Sequence, residues 1–139
     1  MEHISNLVEK TGEIAREIIE NLNNQNVVLL QGELGAGKTT FSQNVLEFLG
    51  AKGPFTSPTF VIMKKYEVSK SGFENVYHFD CYRIEEQDML GLGWEEIVSD
   101  PKNLVLVEWP ERIEKILPEN SVRVSFKIKG EDQRIINVD

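Results

Sequence analysis

Basic residues are scarce in this chain: 15 Lys and Arg stand against 23 Asp and Glu, a net charge of −8. A protein that grips RNA or DNA by itself needs a cationic footprint to displace the counterions around phosphates. The nearest thing to one is the pair Lys64–Lys65. Strong direct nucleic-acid binding is therefore disfavoured, and the acidic balance suits a soluble protein that meets other proteins. Cysteine is nearly absent. Cys81 alone forms no internal disulfide and has no neighbour at metal-ligand spacing. Long apolar runs are missing too: none exceeds five residues, far short of the roughly 20 that span a bilayer. Met1–Lys10 lacks the basic start and apolar block of a signal peptide, so a reducing cytoplasm is the expected setting. No repeat, low-complexity stretch or linker breaks the 139 residues, which are expected to form a single domain, 1–139. With 40% hydrophobic residues the chain is expected to be globular.

What is present begins with a pattern of alternating strands and helices. Leu7, Thr11, Ala15, Ile18 and Leu22 recur at three- and four-residue steps, which predicts an amphipathic helix over roughly Ser5 to Asn23. Val27–Gln31 is a short apolar strand of the kind covered on both faces. From Lys38 the spacing of Phe41, Val45, Phe48 and Leu49 turns helical, and Gly50 stops it. Thr59 to Tyr66 and Asn75 to Asp80 read as an antiparallel pair joined by SKSG. A short helix is expected over Gly93 to Val98, and a second apolar strand over Leu104–Val107, ending in Glu108. Pro110 opens a helix through Leu117. Val122 to Ile128 alternates, and the turn at Gly130–Gln133 leads into a last strand. The expected fold is α/β: a P-loop NTPase-like three-layer sandwich with a mixed, mainly parallel sheet and antiparallel hairpins.

Between the first strand and its helix lies QGELGAGKTT, Gln31 to Thr40. Gly32 to Thr39 fits G-x-x-x-x-G-K-[ST] at every fixed position, in the strand-to-helix context that pattern requires. Glycines bring the backbone close to phosphates, successive N–H groups form an anion nest, and the helix start adds its positive end. Glu33, Leu34, Gly35, Ala36, Gly37, Lys38, Thr39 and Thr40 are thus the candidate nucleotide-binding residues. Lys38 would reach the β- and γ-phosphates, and the Thr39 hydroxyl would ligate Mg²⁺.

Such a loop needs an acid beyond a neighbouring strand. Glu108 closes a hydrophobic strand where that acid is expected, and Trp109 after it reads equally well as a packing residue. In His78–Phe79–Asp80–Cys81–Tyr82–Arg83 a continuing strand would put positions 78, 80 and 82 on one face. Asp80 is a candidate metal-shell acid or general base, and Arg83 a candidate phosphate contact. A lone histidine such as His78 is ordinarily a hydrogen-bonded structural residue. Thr56–Ser57–Pro58–Thr59 follows the loop's helix, where other P-loop NTPases place a segment that senses the γ-phosphate. The chain has no D-x-x-G after a strand and no N-K-x-D, so guanine specificity has no visible basis. Few residues remain for the arginine lid and acceptor pocket of a small-molecule kinase, the other use of this loop.

Taken together, GELGAGKTTF, TSPTF, HFDCYR and VEWPER, in this order and spacing, resemble the bacterial TsaE (YjeE) family over nearly the whole chain, from Thr11 to about Leu117. The resemblance implies a P-loop ATPase that uses ATP and Mg²⁺ and serves tRNA threonylcarbamoyladenosine synthesis. It also implies protein partners: a complex that itself transfers the threonylcarbamoyl group. Carried onto this chain, it makes Lys38 and Thr39 the P-loop pair, with Thr39 on Mg²⁺; Glu108 is the expected second metal ligand, and either acid, Glu108 or Asp80, would orient the attacking water. Asp80 and Glu108 become the functional acids and Trp109 their companion. Thr11 would lie near the nucleotide base, and Thr56 to Thr59 would be the switch-like loop. Glu33 departs from the Asp that many members carry, though both offer a carboxylate beside the loop.

Overall fold

The computed structural model describes residues 2–5, 8–33, 35–54, 62–131 and 133–139. Its elements follow as β1 (Glu2–Ser5), α1 (Val8–Glu20), β2 (Val27–Gly32), α2 (Lys38–Phe48), β3 (Met63–Glu67) and β4 (Asn75–Asp80). After these come α3 (Glu86–Gly91), α4 (Trp94–Ser99), β5 (Asn103–Glu108), a 3₁₀ helix (Pro110–Ile116), β6 (Val122–Ile128) and β7 (Arg134–Val138). One seven-stranded sheet runs in the order β1-β7-β6-β2-β5-β4-β3. Its centre, β6-β2-β5-β4, is parallel throughout. The edges pair antiparallel, β3 on β4, β7 on β6 and β1 on β7, so that only β3 and β7 run against the rest. The sheet is mixed and mainly parallel, as expected.

The central strands are apolar along their whole length because both faces are covered. Val28, Leu30, Leu104 and Leu106 pack with Ile14, Ala15, Ile18 and Ile19 of α1 and Phe41, Val45 and Leu46 of α2. The alternate residues Val27, Leu29, Val105 and Val107 meet Met89 of α3, Trp94 of α4 and Ile113 of the 3₁₀ helix. These are the three layers. In α1 the buried stripe is opposed by exposed Glu13, Arg16, Glu17 and Glu20, with Arg16 Nε donating to Glu20 Oε1 at 3.0 Å one turn on.

Two expectations are corrected, and one element is added. The first helix is shorter than Ser5 to Asn23, because Glu2–Ser5 forms β1 on the sheet edge and α1 starts at Val8. A four-residue edge strand is too short for period-2 alternation to stand out against a helical repeat. The segment Pro110–Ile116 is a 3₁₀ rather than an α-helix, and Ile113 inside it leaves helical geometry (φ −130°, ψ 31°). There the indole N–H of Trp94 donates to the Ile116 carbonyl at 3.0 Å. Glu86–Gly91 forms a helix where none was expected, its start closed by the Glu85 N–H donating to Asp88 Oδ2 at 2.9 Å. The expected strand from Thr59 begins, within the described residues, at Met63.

Candidate functional site

β2 delivers its last residue, Gly32, into the glycine-rich loop, and Lys38 opens α2 on the far side. β5 lies beside β2 with Glu108 in register with Leu30, and β4 lies beside β5 with Asp80 in register with Glu108. Loop and acids therefore share the carboxyl-terminal edge of the parallel strands, where open α/β sheets bind ligands.

Close approach explains the first glycine. A Cβ on Gly32 would stand 2.7 Å from the Phe126 carbonyl oxygen and 3.0 Å from Phe126 Cβ, on the strand paired with it. Beyond it Ala36 is fully buried, while Glu33 and Gly35 are exposed. The first turn of α2 is tied by Ser42 Oγ donating to the Lys38 carbonyl at 3.0 Å and Asn44 Nδ2 to the Thr40 carbonyl at 2.8 Å. Thr39 and Thr40 are half-buried on that turn.

Lys38 is only 4% exposed. Its Nζ donates to the Gly32 carbonyl at 2.6 Å and lies 3.8 Å from the centroid of the Trp109 ring. Burial pulls its pKa below the usual lysine value, and the nearby carboxylates of Glu108, Glu111 and Asp80 oppose that shift. Trp109 packs against Tyr82 with ring centroids 4.8 Å apart. Its backbone is left-handed (φ 59°, ψ 51°) immediately before Pro110, a conformation costly for a bulky residue and typical of functional sites.

Burial also governs Asp80, raising its pKa above the ordinary carboxylate value, with the charge of Glu108 adding to the effect. The Tyr82 N–H, which donates to Asp80 Oδ1 at 3.0 Å, works in the opposite direction, as do His78 and Lys38. Glu108 is 4% exposed and its Oε2 lies 2.7 Å from His78 Nε2. The structure thus brings Lys38, His78, Asp80, Glu108 and Trp109 into one charged, largely dry edge.

Thr11 is buried in α1, the helix beside α2. Arg83 is exposed, its guanidinium 6.0 Å from the Tyr82 ring centroid. Leu34 and Thr56 to Thr59 lie outside the described residues. Cys81, on the opposite sheet face, is fully buried, and its thiol is pushed up to about 12 chiefly by burial.

Two features had no sequence signal. Arg134 of β7 donates from Nη2 to the Gly35 carbonyl at 3.2 Å, and from Nη1 to the Gly130 and Gln133 carbonyls at 3.0 and 2.9 Å. It ties the loop to the last hairpin. Arg123 of β6 links Gln31 Oε1 (2.8 Å) to Glu114 Oε1 (2.9 Å), joining the strand before the loop to the helix after Trp109.

The donor set at this edge is a hydroxyl and carboxylates, hard oxygens that suit Mg²⁺. Among the described residues no group of three or more His, Cys, Asp or Glu could hold a metal ion by itself. A metal that takes most of its ligands from phosphates and water needs only one or two protein oxygens.

A family profile described as threonylcarbamoyl adenosine biosynthesis protein TsaE matches residues 5–136. The chain belongs to the TsaE family. TsaE of Bacillus subtilis is 38% identical over 128 residues, covering 92% of this chain and 78% of that protein. TsaE of Rickettsia bellii is 36% identical, covering 97% and 92%. Both relatives carry the name tRNA threonylcarbamoyladenosine biosynthesis protein TsaE. The fold agrees: a crystal structure of Bacillus subtilis YdiB superposes with a TM-score of 0.77 at 31% identity, over 98% of this chain and 82% of that one. No helix among the described residues is long and apolar enough to cross a membrane.

Proposed function

We propose that this TsaE-family chain takes part in tRNA threonylcarbamoyladenosine biosynthesis as its Mg²⁺-dependent ATPase, acting on the protein complex that transfers the threonylcarbamoyl group. The observation that carries the reading is the convergence, on one sheet edge, of a G-x-x-x-x-G-K-T loop with two acids in register, Asp80 and Glu108. The loop amides and Lys38 bind the triphosphate and offset the charge that builds on the transferring γ-phosphoryl group. Thr39 and Glu108 would hold Mg²⁺, which would supply positive charge to screen the triphosphate. Asp80 orients the attacking water. Lys38 leaves the Gly32 carbonyl and the Trp109 ring to reach the phosphates, exchanging contacts of 2.6 and 3.8 Å for a stronger anionic partner.

The acidic surface fits a division of labour in which partner proteins carry the RNA contact and the setting is cytoplasmic. The test is an ATP-dependent pull-down with candidate partners followed by a tRNA-modification assay. Wild-type protein is expected to associate and support modification, and Lys38→Ala to do neither. ADP formation that requires a small-molecule acceptor, with the phosphoryl group recovered on that acceptor and not as free phosphate, would overturn the reading in favour of a kinase.

A further inference from the structure

β4 and β5 run parallel with Asp80 opposite Glu108, so His78, two residues earlier on the same face, lies opposite Leu106. Its ring reaches diagonally along the sheet to Glu108, and Nε2 stands 2.7 Å from Oε2 with the side chains 2% and 5% exposed. With Glu108 as a carboxylate, which only accepts hydrogen bonds, the proton of this contact is assigned to Nε2. The other ring nitrogen, Nδ1, is buried with no hydrogen-bond partner among the described residues. Buried polar groups are normally paired. A histidine held here with one nitrogen unpaired gives its single bond to Glu108 and to nothing else described.

A buried glutamate at a strand end has two oxygens and a freely turning carboxyl plane. The His78 bond ties down Oε2 and leaves Oε1 as the oxygen available to a ligand. From this geometry we infer that His78 is a positioning residue: it fixes the rotation of the Glu108 carboxylate toward the metal–triphosphate, without touching the nucleotide. The inference rests on the functional reading above and adds to it the residue that sets Glu108. Partners that orient metal-binding carboxylates and histidines typically change metal affinity or activity by about 10- to 100-fold when removed.

The test uses three variants of the full chain. His78→Phe keeps the bulk and loses the donor; His78→Gln carries an amide N–H at about the position of Nε2; His78→Asn is too short to reach. ATP affinity is measured with Mg²⁺ and in excess EDTA, and single-turnover hydrolysis is followed beside it. In His78→Phe, Mg²⁺-dependent affinity or hydrolysis is expected to fall about 10- to 100-fold, with ATP affinity in EDTA unchanged within about twofold. His78→Gln is expected to recover most of the loss. Because His78 acts through Glu108, the double variant His78→Phe/Glu108→Gln is expected to be no worse than Glu108→Gln alone.

Equal losses with Mg²⁺ and in EDTA, no recovery with Gln, or additive losses in the double variant would each overturn the inference as a merely structural role. So would an unchanged Mg²⁺ response and rate in His78→Phe. If His78→Phe does not fold, the Gln and Asn variants decide, and equal behaviour of the two overturns it. Failure of the underlying reading looks different: wild-type protein would then show no Mg²⁺-dependent ATP binding at all, and both would fall together.

Discussion

Replacing Gly32 by Ala tests how the loop is held against the sheet. The added methyl would sit 2.7 Å from the Phe126 carbonyl oxygen, 3.0 Å from Phe126 Cβ and 3.4 Å from Ala36 Cβ. The first of these is a backbone atom in the ladder that pairs Gly32 with Phe126, so no flexible side chain can swing away. Lengthening that 2.7 Å contact to an ordinary 3.4 Å moves the end of β2 from β6 by about 0.7 Å. Overpacking of this kind costs about 1–3 kcal/mol, which for a domain of this size lowers Tm by roughly 3–10 °C. The displacement falls at the start of the glycine-rich loop, the proposed nucleotide site, where a misplacement of about 1 Å can cost 10²-fold in function. ATP affinity is therefore expected to fall at least about 10-fold. Gly35→Ala is the control. Among the described residues beyond its chain neighbours no atom lies within 4 Å of its Cβ, and the positive φ of 78° is what opposes it, a strain of about 1–2 kcal/mol. Differential scanning fluorimetry without nucleotide should rank Gly32→Ala below Gly35→Ala. The reverse order, or a wild-type Tm for Gly32→Ala, would refute the steric argument.

Asp80→Asn should separate stability from function. Burial raises the Asp80 pKa in the folded protein above its unfolded value of 3.8, so the folded state holds the proton more tightly. Stability is then lost as pH rises through the carboxylate range, and the penalty is full above the folded pKa and absent below about 3.8. The variant should melt higher than wild type near pH 7, with the gain vanishing in acid, while hydrolysis falls by about 10²-fold or more. A lower Tm at neutral pH would contradict this. Trp94 is fully buried in the core cluster against which Trp109 packs, and these are the two tryptophans of the chain, so a Trp94→Phe protein should report Trp109 alone by its fluorescence. ATP with Mg²⁺ should change that emission as Lys38 leaves the ring. Calorimetric binding with unchanged emission would show that Lys38 stays where it is.

The parts of the fold legible in the sequence were those written in continuous or strictly periodic residues. Val27–Leu30 and Leu104–Val107 announce doubly covered strands, and the glycine spacing of the loop fixes its strand and helix neighbours. Alternation placed His78 and Asp80 on one face and Phe79 and Cys81 on the other, as the two sides of the core bear out. Alternation does not give register, however. That Asp80 stands opposite Glu108 depends on how β4 slides along β5, which turn lengths and packing decide. β1 was illegible because four residues carry too little pattern. α3 carried a signal in the Glu85 and Asp88 spacing, but six residues with one buried side chain leave little helical repeat to read. Arg134 meets the Gly35 carbonyl across 99 positions of sequence, a contact made by the closing hairpin and by no local rule.

The central claim is that the carboxyl-terminal edge of this sheet binds Mg²⁺·ATP through Lys38 and its loop. Calorimetric titration of wild-type protein and Lys38→Ala with ATP in the presence of Mg²⁺ tests it most directly. Removing two charge-assisted phosphate contacts of about 1.5–3 kcal/mol each should weaken binding by about 10²-fold or more, so wild type should titrate and the variant should not. Equal affinity in the two proteins, or no heat of binding in the wild type, would contradict the account.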